Sequence, residues 1–470
     1  MPQLSESFYL RQKALEEAIG YGKAFDCQKR PIRTAGLTGY LYFFTTLSSD
    51  ALLSDLVVRY QSADPPKPPK SAEEFLAAVV PYGAATVERD LVAASRLVLS
   101  GTSLLLTDAF PEAIITDTRG LPTRSAEEPD CDRVLYGSRD GFTELLKTNV
   151  ALLRRRVRSR ELTVTLFEIG SESRTDVALV YDAERADPDY VRRVSERLSS
   201  IRVESLTVGE ESLAECLIPR RWYNPFPKFR YTERPDTATA TLMEGNLLIL
   251  CDNSPQVMLL PTSIFDFLQE SDDYYFPPII GTYQRFVRAL IFMITLFFAP
   301  LWYMLVTHPD LIPESLAFIR VEDRGALPIF FQILIVELLL DGLRLASLNT
   351  PSTLGNSLSV VAGLILGDFA IDVGWFIPEV LLYMAFVSIS NYSQPSFELG
   401  YAFKFMRIFL LIAVGFFGIA GFIVGTLLIL LTVALNKTLD GSRSYLYPLI
   451  PFNKKALLRH LFRCRLKPKK

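Results

Sequence analysis

Histidine is almost missing. Of 470 residues only His308 and His460 are histidine. They flank opposite ends of the most apolar stretch, which argues against a Ser-His-Asp triad, a Cys-His pair or a zinc site built on imidazoles. The five cysteines, Cys27, Cys131, Cys216, Cys251 and Cys464, form no CxxC pair, so reduced, mostly buried thiols are expected. A strong charge of one sign is missing too. The 49 Lys and Arg against 52 Asp and Glu leave a net charge of -3, which speaks against a nucleic-acid partner. Residues 1–280 hold neither a GxGxxG nor a GxxxxGK[ST] spacing, hence no phosphate loop. No catalytic constellation emerges, no cofactor or metal is called for, and the chain does not read as an enzyme. Residues 1–20 carry Glu6, Arg11, Lys13, Glu16 and Glu17 without an apolar core, so no signal peptide is expected.

What is present is a division. Residues before 286 read like a soluble protein, whereas 286–435 are dominated by long uncharged runs. The expected fold class is an α/β cytosolic region of two subdomains followed by an α-helical multi-span membrane domain. Its parts are a first α/β subdomain (1–132), a second (133–280), a transmembrane helical domain (281–436) and a basic cytosolic tail (437–470). Helical spacing is read over 5–20, 73–80, 88–97, 142–157 and 187–198; strands over 37–45, 99–107, 112–117, 162–169, 176–181 and a pair within 246–260. The proline-rich 64–70 is a connector, and the acidic 125–132 marks the subdomain boundary. Arg154, Arg155 and Arg156 end a helix, where the dipole favours cations. A solvated helix end is one reading, an inter-subunit or headgroup contact the other. Asp272 and Asp273, beside Tyr274 and Tyr275, are read as capping the approach to the membrane, with cation binding as the alternative.

In the apolar half, 289–306 is long enough to cross a bilayer, with Arg285 and Arg288 at one end and Trp302 and Tyr303 at the other. A second run, from Leu327, carries Glu337, Asp341 and Arg344 on one helical face. Charges at depth cost several kcal/mol unless paired or watered, so this face points into protein or a wet cavity, as an internal ion pair or as part of a conduit. Residues 353–372 differ from a lipid-facing span. Hydroxyls and small residues alternate, and Asp368 and Asp372 close the segment. Ser357, Val361, Leu364, Asp368 and Asp372 are the pore candidates, a tightly packed buried helix being the alternative. Residues 408–436 are uncharged and interrupted by Gly415, Gly418, Gly421 and Gly425. The basic tail keeps the C-terminus cytoplasmic, so an even number of crossings is expected: four with one re-entrant or short segment, or six short ones. Lys404 and Arg407 weigh against four.

The stretch Tyr136-Gly137-Ser138-Arg139-Asp140-Gly141-Phe142-Thr143-Glu144, followed by Lys147-Thr148-Asn149 and the triple arginine, resembles the signature of the spore-germination A-subunit family. Tyr231-Thr232-Glu233-Arg234-Pro235-Asp236, Glu244-Gly245, the 252–255 turn and Pro261-Thr262 match it as well. Pro300-Leu301-Trp302, Asp372-Val373-Gly374 and Pro451-Phe452-Asn453 look closer to the stage V sporulation protein AF branch than to the nutrient-receptor subunits. Residues 345–351 lack the latter's E-A-G and arginine–proline text. The resemblance implies a multi-span protein of the inner spore membrane; the missing signal peptide and the basic tail place both termini on the cytoplasmic side, the spore core. The resemblance further implies a ring-like homo-oligomer, a pentamer, that conducts ions during germination among other germination proteins and membrane lipid. Asp368 and Asp372, repeated around such a ring, would favour cations, so an oligomeric cation channel is expected. The alternative is a non-conducting scaffold for dipicolinic acid transport or for germinant-receptor assemblies.

Overall fold

The computed structural model describes residues 8–63, 69–80, 85–120, 137–218, 223–270, 272–321, 325–349, 370–436, 438–439 and 444–463. The chain divides into two compact units, Met1–Pro219 with Phe229–Thr262, and Arg220–Lys228 with Ser263–Lys470. The proline-rich 64–68, the proposed boundary at 125–132 and pore candidates Ser357, Val361, Leu364 and Asp368 lie outside the described residues.

The first unit begins with helices α1 (Phe8–Ile19), α2 (Asp50–Ser62), α3 (Ala72–Val79) and α4 (Leu91–Leu99). With them run strands β1 (Cys27–Thr34), β2 (Leu37–Phe44), β3 (Ala85–Glu88), β4 (Ser103–Thr107) and β5 (Ala113–Thr116). These strands form an antiparallel sheet in the order β1-β2-β4-β5-β3. Side chains alternate across it. Tyr42, Phe44, Leu104 and Leu106 pack with Leu15, Ile19 and Val98 of α1 and α4, whereas Leu41, Phe43 and Leu105 pack with Leu56, Tyr60 and Phe75 of α2 and α3. With both faces covered, β4 and β5 are buried throughout, with apolar centres rather than alternation. Ala35 and Gly36 both have positive φ (52° and 79°), the two-residue turn that suits the twist of a hairpin.

Helices α5 (Leu146–Arg156), α6 (Pro188–Ser200), α7 (Gly209–Leu217) and α8 (Pro235–Met243) follow, interleaved with β6 (Leu162–Ile169), β7 (Thr175–Asp182), β8 (Arg230–Thr232), β9 (Leu247–Cys251) and β10 (Val257–Leu260). They repeat the element order of the first half. The second sheet, β6-β7-β9-β10-β8, is again antiparallel and repeats the strand order. The likeness reaches single bonds. Gly101 (φ 102°) closes α4 and Gly245 (φ 93°) closes α8. Thr102 N donates to Leu97 O and Asn246 N to Thr241 O, each at 3.3 Å, the same glycine-dependent helix ending. Each hairpin that follows carries Asp-x-x-Pro, at 108–111 and 252–255, and α1 packs on α4 as α5 packs on α8. One arrangement is used twice.

Strand β1, helix α2 and strand β3 go beyond the sequence expectation. Helix α4 starts at Leu91 rather than 88, because the Asp90 carboxylate accepts from Val92 N and Ala93 N and fixes the helix entry there.

The second unit is helical: α9 (Asp272–Tyr275, one turn), α10 (Pro278–Thr307), α11 (Ile329–Asn349), α12 (Pro378–Tyr392), α13 (Phe397–Ala434) and α14 (Lys454–Leu461). Among the described residues α10 and α13 are long and apolar enough to cross a membrane. Helix α13 is not one rod. Gly418 (φ 57°, ψ -132°) interrupts it, and the chain doubles back: a Cβ at Gly421 would fall 2.0 Å from Ala413 O, and one at Gly425 would lie 2.7 Å from the Leu410 side chain. Of the four glycines read as interruptions of a single run, Gly418 is therefore the apex and Gly421 and Gly425 the contact seam of a helical hairpin, whose arms 397–417 and 419–434 approach closely because these two have no side chain, while Gly415 faces Phe330 of α11. The outer surface is apolar, with Ile279, Leu290, Met293, Phe416, Phe417 and Leu427 all more than half exposed. That is the inverse of a water-facing surface.

Candidate functional site

Helix α5 starts without a side-chain cap of its own. The stretches that carry the family likeness supply what is missing, and they converge there. Leu146 N donates to Asp252 of the 252–255 turn (3.0 Å), and Asn253 N donates to Glu144 O (2.8 Å). Thr143 N donates to Asn149 Oδ1 (2.7 Å), and Phe142 N to Glu233 O (2.8 Å). Arg234, wholly buried, bonds Asp236 (2.6 Å) and Ser138 O (3.0 Å). Arg156 bonds Ser138 Oγ (2.8 Å) and pairs with Asp140 (2.5 Å). This network positions two helix entries.

The triple arginine is only partly a solvated helix end. Arg155 is exposed, but Arg154 is 3% exposed and reaches Asp26, itself 0% exposed, with Nη2–Oδ1 2.7 Å and a second bond from Nε. Its guanidinium lies 4.4 Å from the Phe44 ring centroid. A buried charge needs this pairing, so Arg154 joins the two halves rather than facing solvent. Next to it, burial and then Asp26 push the Cys27 thiol up to about 12. Burial and Glu210 do the same for Cys251, to about 12, so both are inert, reduced thiols. Cys131 and Cys464 lie outside the described residues.

In the second unit, the face expected on 327–349 meets α13. Glu337, 4% exposed, takes Arg407 Nε at 2.6 Å and Lys404 Nζ at 3.3 Å, and Lys404 also reaches Asp341 at 2.5 Å. Arg407 donates onward to Thr295 O (2.6 Å) on α10. Arg344 lies over three rings, Tyr401 (4.7 Å), Phe397 (4.9 Å) and Tyr392 (5.8 Å). Glu337, Asp341, Arg344, Asn391, Lys404 and Arg407 edge a pocket with room for about one water. Lys404 and Arg407, which sequence reasoning set against the crossing count, are thus the buried partners of the acidic face. Asp372 is exposed, on a single turn (Ala370–Asp372). Asp273 is buried and holds Arg285 (2.9 Å) and Arg288 (2.7 Å) at the start of α10. Among the described residues no three His, Cys, Asp or Glu come together as a metal site.

The Bacillus/Clostridium GerA spore germination protein family matches residues 13–470. The chain belongs to the GerA family. It is similar to stage V sporulation protein AF of Bacillus subtilis (strain 168), with 35% identity over 96% of this chain and 91% of that protein. It is also similar to spore germination protein KA of the same organism, with 30% identity over 83% and 72%. The crystal structure of the N-terminal domain of the A subunit of the Bacillus megaterium spore germinant receptor GerK3 aligns with a TM-score of 0.41 at 21% identity, covering 55% of this chain and 96% of that one.

For a GerA-family chain, the signature text thus describes architecture: Ser138, Asp140, Glu233, Arg234 and Asp252 set the entries of α5 and α8. One residue of the buried clusters carries a signal that sequence reasoning passed over: Asp26 sits between apolar Phe25 and Cys27. Lys404 and Arg407, which share one helical face inside an apolar run, register in the sequence only as a conflict with the crossing count and not as partners of the acidic face.

Proposed function

We propose that this chain is a multi-pass membrane subunit of the spore germination machinery that forms a homo-oligomeric ring and conducts cations, with residues 353–372 of each copy lining the shared axis. Its place is the inner membrane of the spore, with both termini facing the core and other germination proteins as neighbours. The observation that carries the proposal is the charged cluster Glu337–Asp341–Lys404–Arg407 inside a unit whose outer surface is apolar. Charges at such depth persist where they serve a pathway or a fixed interior contact. The hydroxyl- and glycine-rich text of 352–367, with Asp368 and Asp372 at its end, supplies a polar lining, and a ring of carboxylates favours cations. A hairpin with its apex at Gly418 is compatible with one re-entrant segment or with two short crossings.

The full pairing of Glu337 with Arg407 and Lys404 favours a second reading, a scaffold whose charges only fix helix packing. Purified full-length protein in planar bilayers under asymmetric potassium chloride separates the two. The channel reading expects a cation-directed reversal potential and a lower conductance in the Asp368→Asn/Asp372→Asn variant, with assembly intact. Absent or anion-selective current, unchanged conductance in the double variant, or monomers only in nanodiscs would overturn it.

A further inference from the structure

The end of the described chain folds back onto the start of α10. The main-chain carbonyls of Arg459 and His460 accept from Arg285 Nη1 at 2.7 and 3.1 Å. Arg463 N donates to Thr282 Oγ1 (3.2 Å) and its guanidinium to Tyr274 O (2.7 Å). Phe462 meets Phe286 edge to face, with centroids 5.6 Å apart. Helix α14 is thereby fixed beside the first two turns of α10, at the level where the exposed surface passes from Tyr274 and Tyr275 of α9 and Tyr283 of α10 to Leu290 and Met293. Tyrosines at that level mark a membrane–water boundary.

The outward face of α14 has two parallel ridges. Leu458, 43% exposed, lies on one, and Phe462, just past the helix end and also 43% exposed, continues it with its ring against Phe286. Lys455 and Arg459, both exposed and likewise four residues apart, form the other, and Lys454 extends the first. The loop before the helix adds Leu449, Ile450 and Phe452, the last 69% exposed. No acidic residue occurs between 441 and 470. In water such a surface leaves four large apolar side chains, Leu449, Ile450, Phe452 and Leu458, uncovered. At a bilayer the apolar ridge enters the acyl boundary while the basic stems extend along it to the phosphates.

We propose that Leu449–Phe452 and the outward face of α14 form an interfacial anchor that binds the anionic phospholipid headgroups around α10. The site takes lipid phosphates through Lys454, Lys455 and Arg459, and holds the tail in the membrane plane whether or not the protein conducts. It rests on α10 entering the bilayer, and the test separates the two ideas. Full-length protein carrying p-benzoyl-phenylalanine in place of Phe452, or of Leu290 as a control, is placed in nanodiscs of phosphatidylglycerol with phosphatidylcholine, or of phosphatidylcholine alone. After irradiation, covalent lipid adducts are read by mass. Both positions are expected to give lipid adducts in the anionic discs. A basic side chain near an anionic surface shifts partition by about fivefold, so the Lys454→Gln/Lys455→Gln/Arg459→Gln variant lowers the adduct at 452 by at least about tenfold and leaves that at 290 unchanged. Raised salt acts in the same direction. Lipid adducts at 290 with none, or only protein cross-links, at 452 overturn the anchor. Equal yields at 452 in both lipid mixtures and in the triple variant overturn its anionic selectivity. No lipid adduct at 290 removes the membrane placement of α10 itself.

Discussion

Asp26 stands directly before β1 and Glu161 directly before β6, the same station in the two halves of the first unit. Each reaches across to the other half, Asp26 to Arg154 and Glu161 to Lys23. Their surroundings differ. The Asp26 side chain is 0% exposed and its partner 4%, whereas Glu161 keeps 22% and Lys23 44%. A second matched pair differs in kind: Asp90 caps α4 with its carboxylate, while at the head of α8 the corresponding place holds Arg234, buried and bonded to Asp236 and Ser138. The repeated fold tolerates both solutions because the backbone path is set by the apolar faces and by Gly101 and Gly245. The polar residues decide how tightly the halves and their helix entries are locked.

The largest effect expected is at Asp26. Asp26→Asn leaves the Arg154 charge buried without its carboxylate, a class of change that costs about 3–5 kcal/mol. Hydrogen exchange of the full chain in detergent should show α5 and β1 losing about two to three decades of protection, at about 1.4 kcal/mol per decade. Replacing both partners by apolar groups of similar size, Asp26→Leu with Arg154→Met, should restore most of it. A double variant as weak as the single one would show that the pair carries more than charge compensation.

The next expected effect uses the matched helix entries. Arg234→Met removes the guanidinium from Asp236, which is 15% exposed and keeps its bond from Thr237 N, for about 2–3 kcal/mol. Asp90→Ala removes an ordinary cap, for about 1 kcal/mol. Exchange at the first turns of α8 and α4 reads the two separately, and equal losses would erase the proposed difference between the halves.

Sequence periodicity resolves much of the two sheets: β2, β4 to β7, β9 and β10 and helices α1, α3, α4, α5 and α6 follow from apolar spacing and turn residues. The duplication was legible only in sparse punctuation, Gly101 with Asp108 and Pro111 against Gly245 with Asp252 and Pro255. The residues between them diverge because a buried strand accepts any apolar side chain of about the right size. Strand β1 hides because Lys29, Arg30 and Arg33 lie on it, with Arg30 and Arg33 exposed. In the second unit the charged face at Glu337 and Asp341 was legible, but its partners were not. Nothing local in sequence says that Lys404 and Arg407 return to it, and the reversal at Gly418 is invisible when glycine also serves close helix packing.

The smallest expected effect lies at Glu161 and fixes the weak end of the comparison. The hydrogen bond from Lys23, opposed by partial burial, holds its carboxyl below the usual glutamate value. A depressed folded value means that the stabilisation is fully present above the unfolded pKa, about 4.3, and is lost as pH falls through the folded value. At pH 7, Glu161→Gln should therefore cost about 0.2–1 kcal/mol, with exchange rising only around β6 and the 20–26 loop. The gap between parent and variant should close in acid below the folded value, and in high salt, which screens an exposed pair. At Asp26 the salt dependence should be slight, since solvent ions do not reach it. If the Glu161 effect matched that of Asp26, or survived both acid and salt, exposure would not be what separates the two stations, and the interface between the halves would have to be symmetric in energy as well as in path.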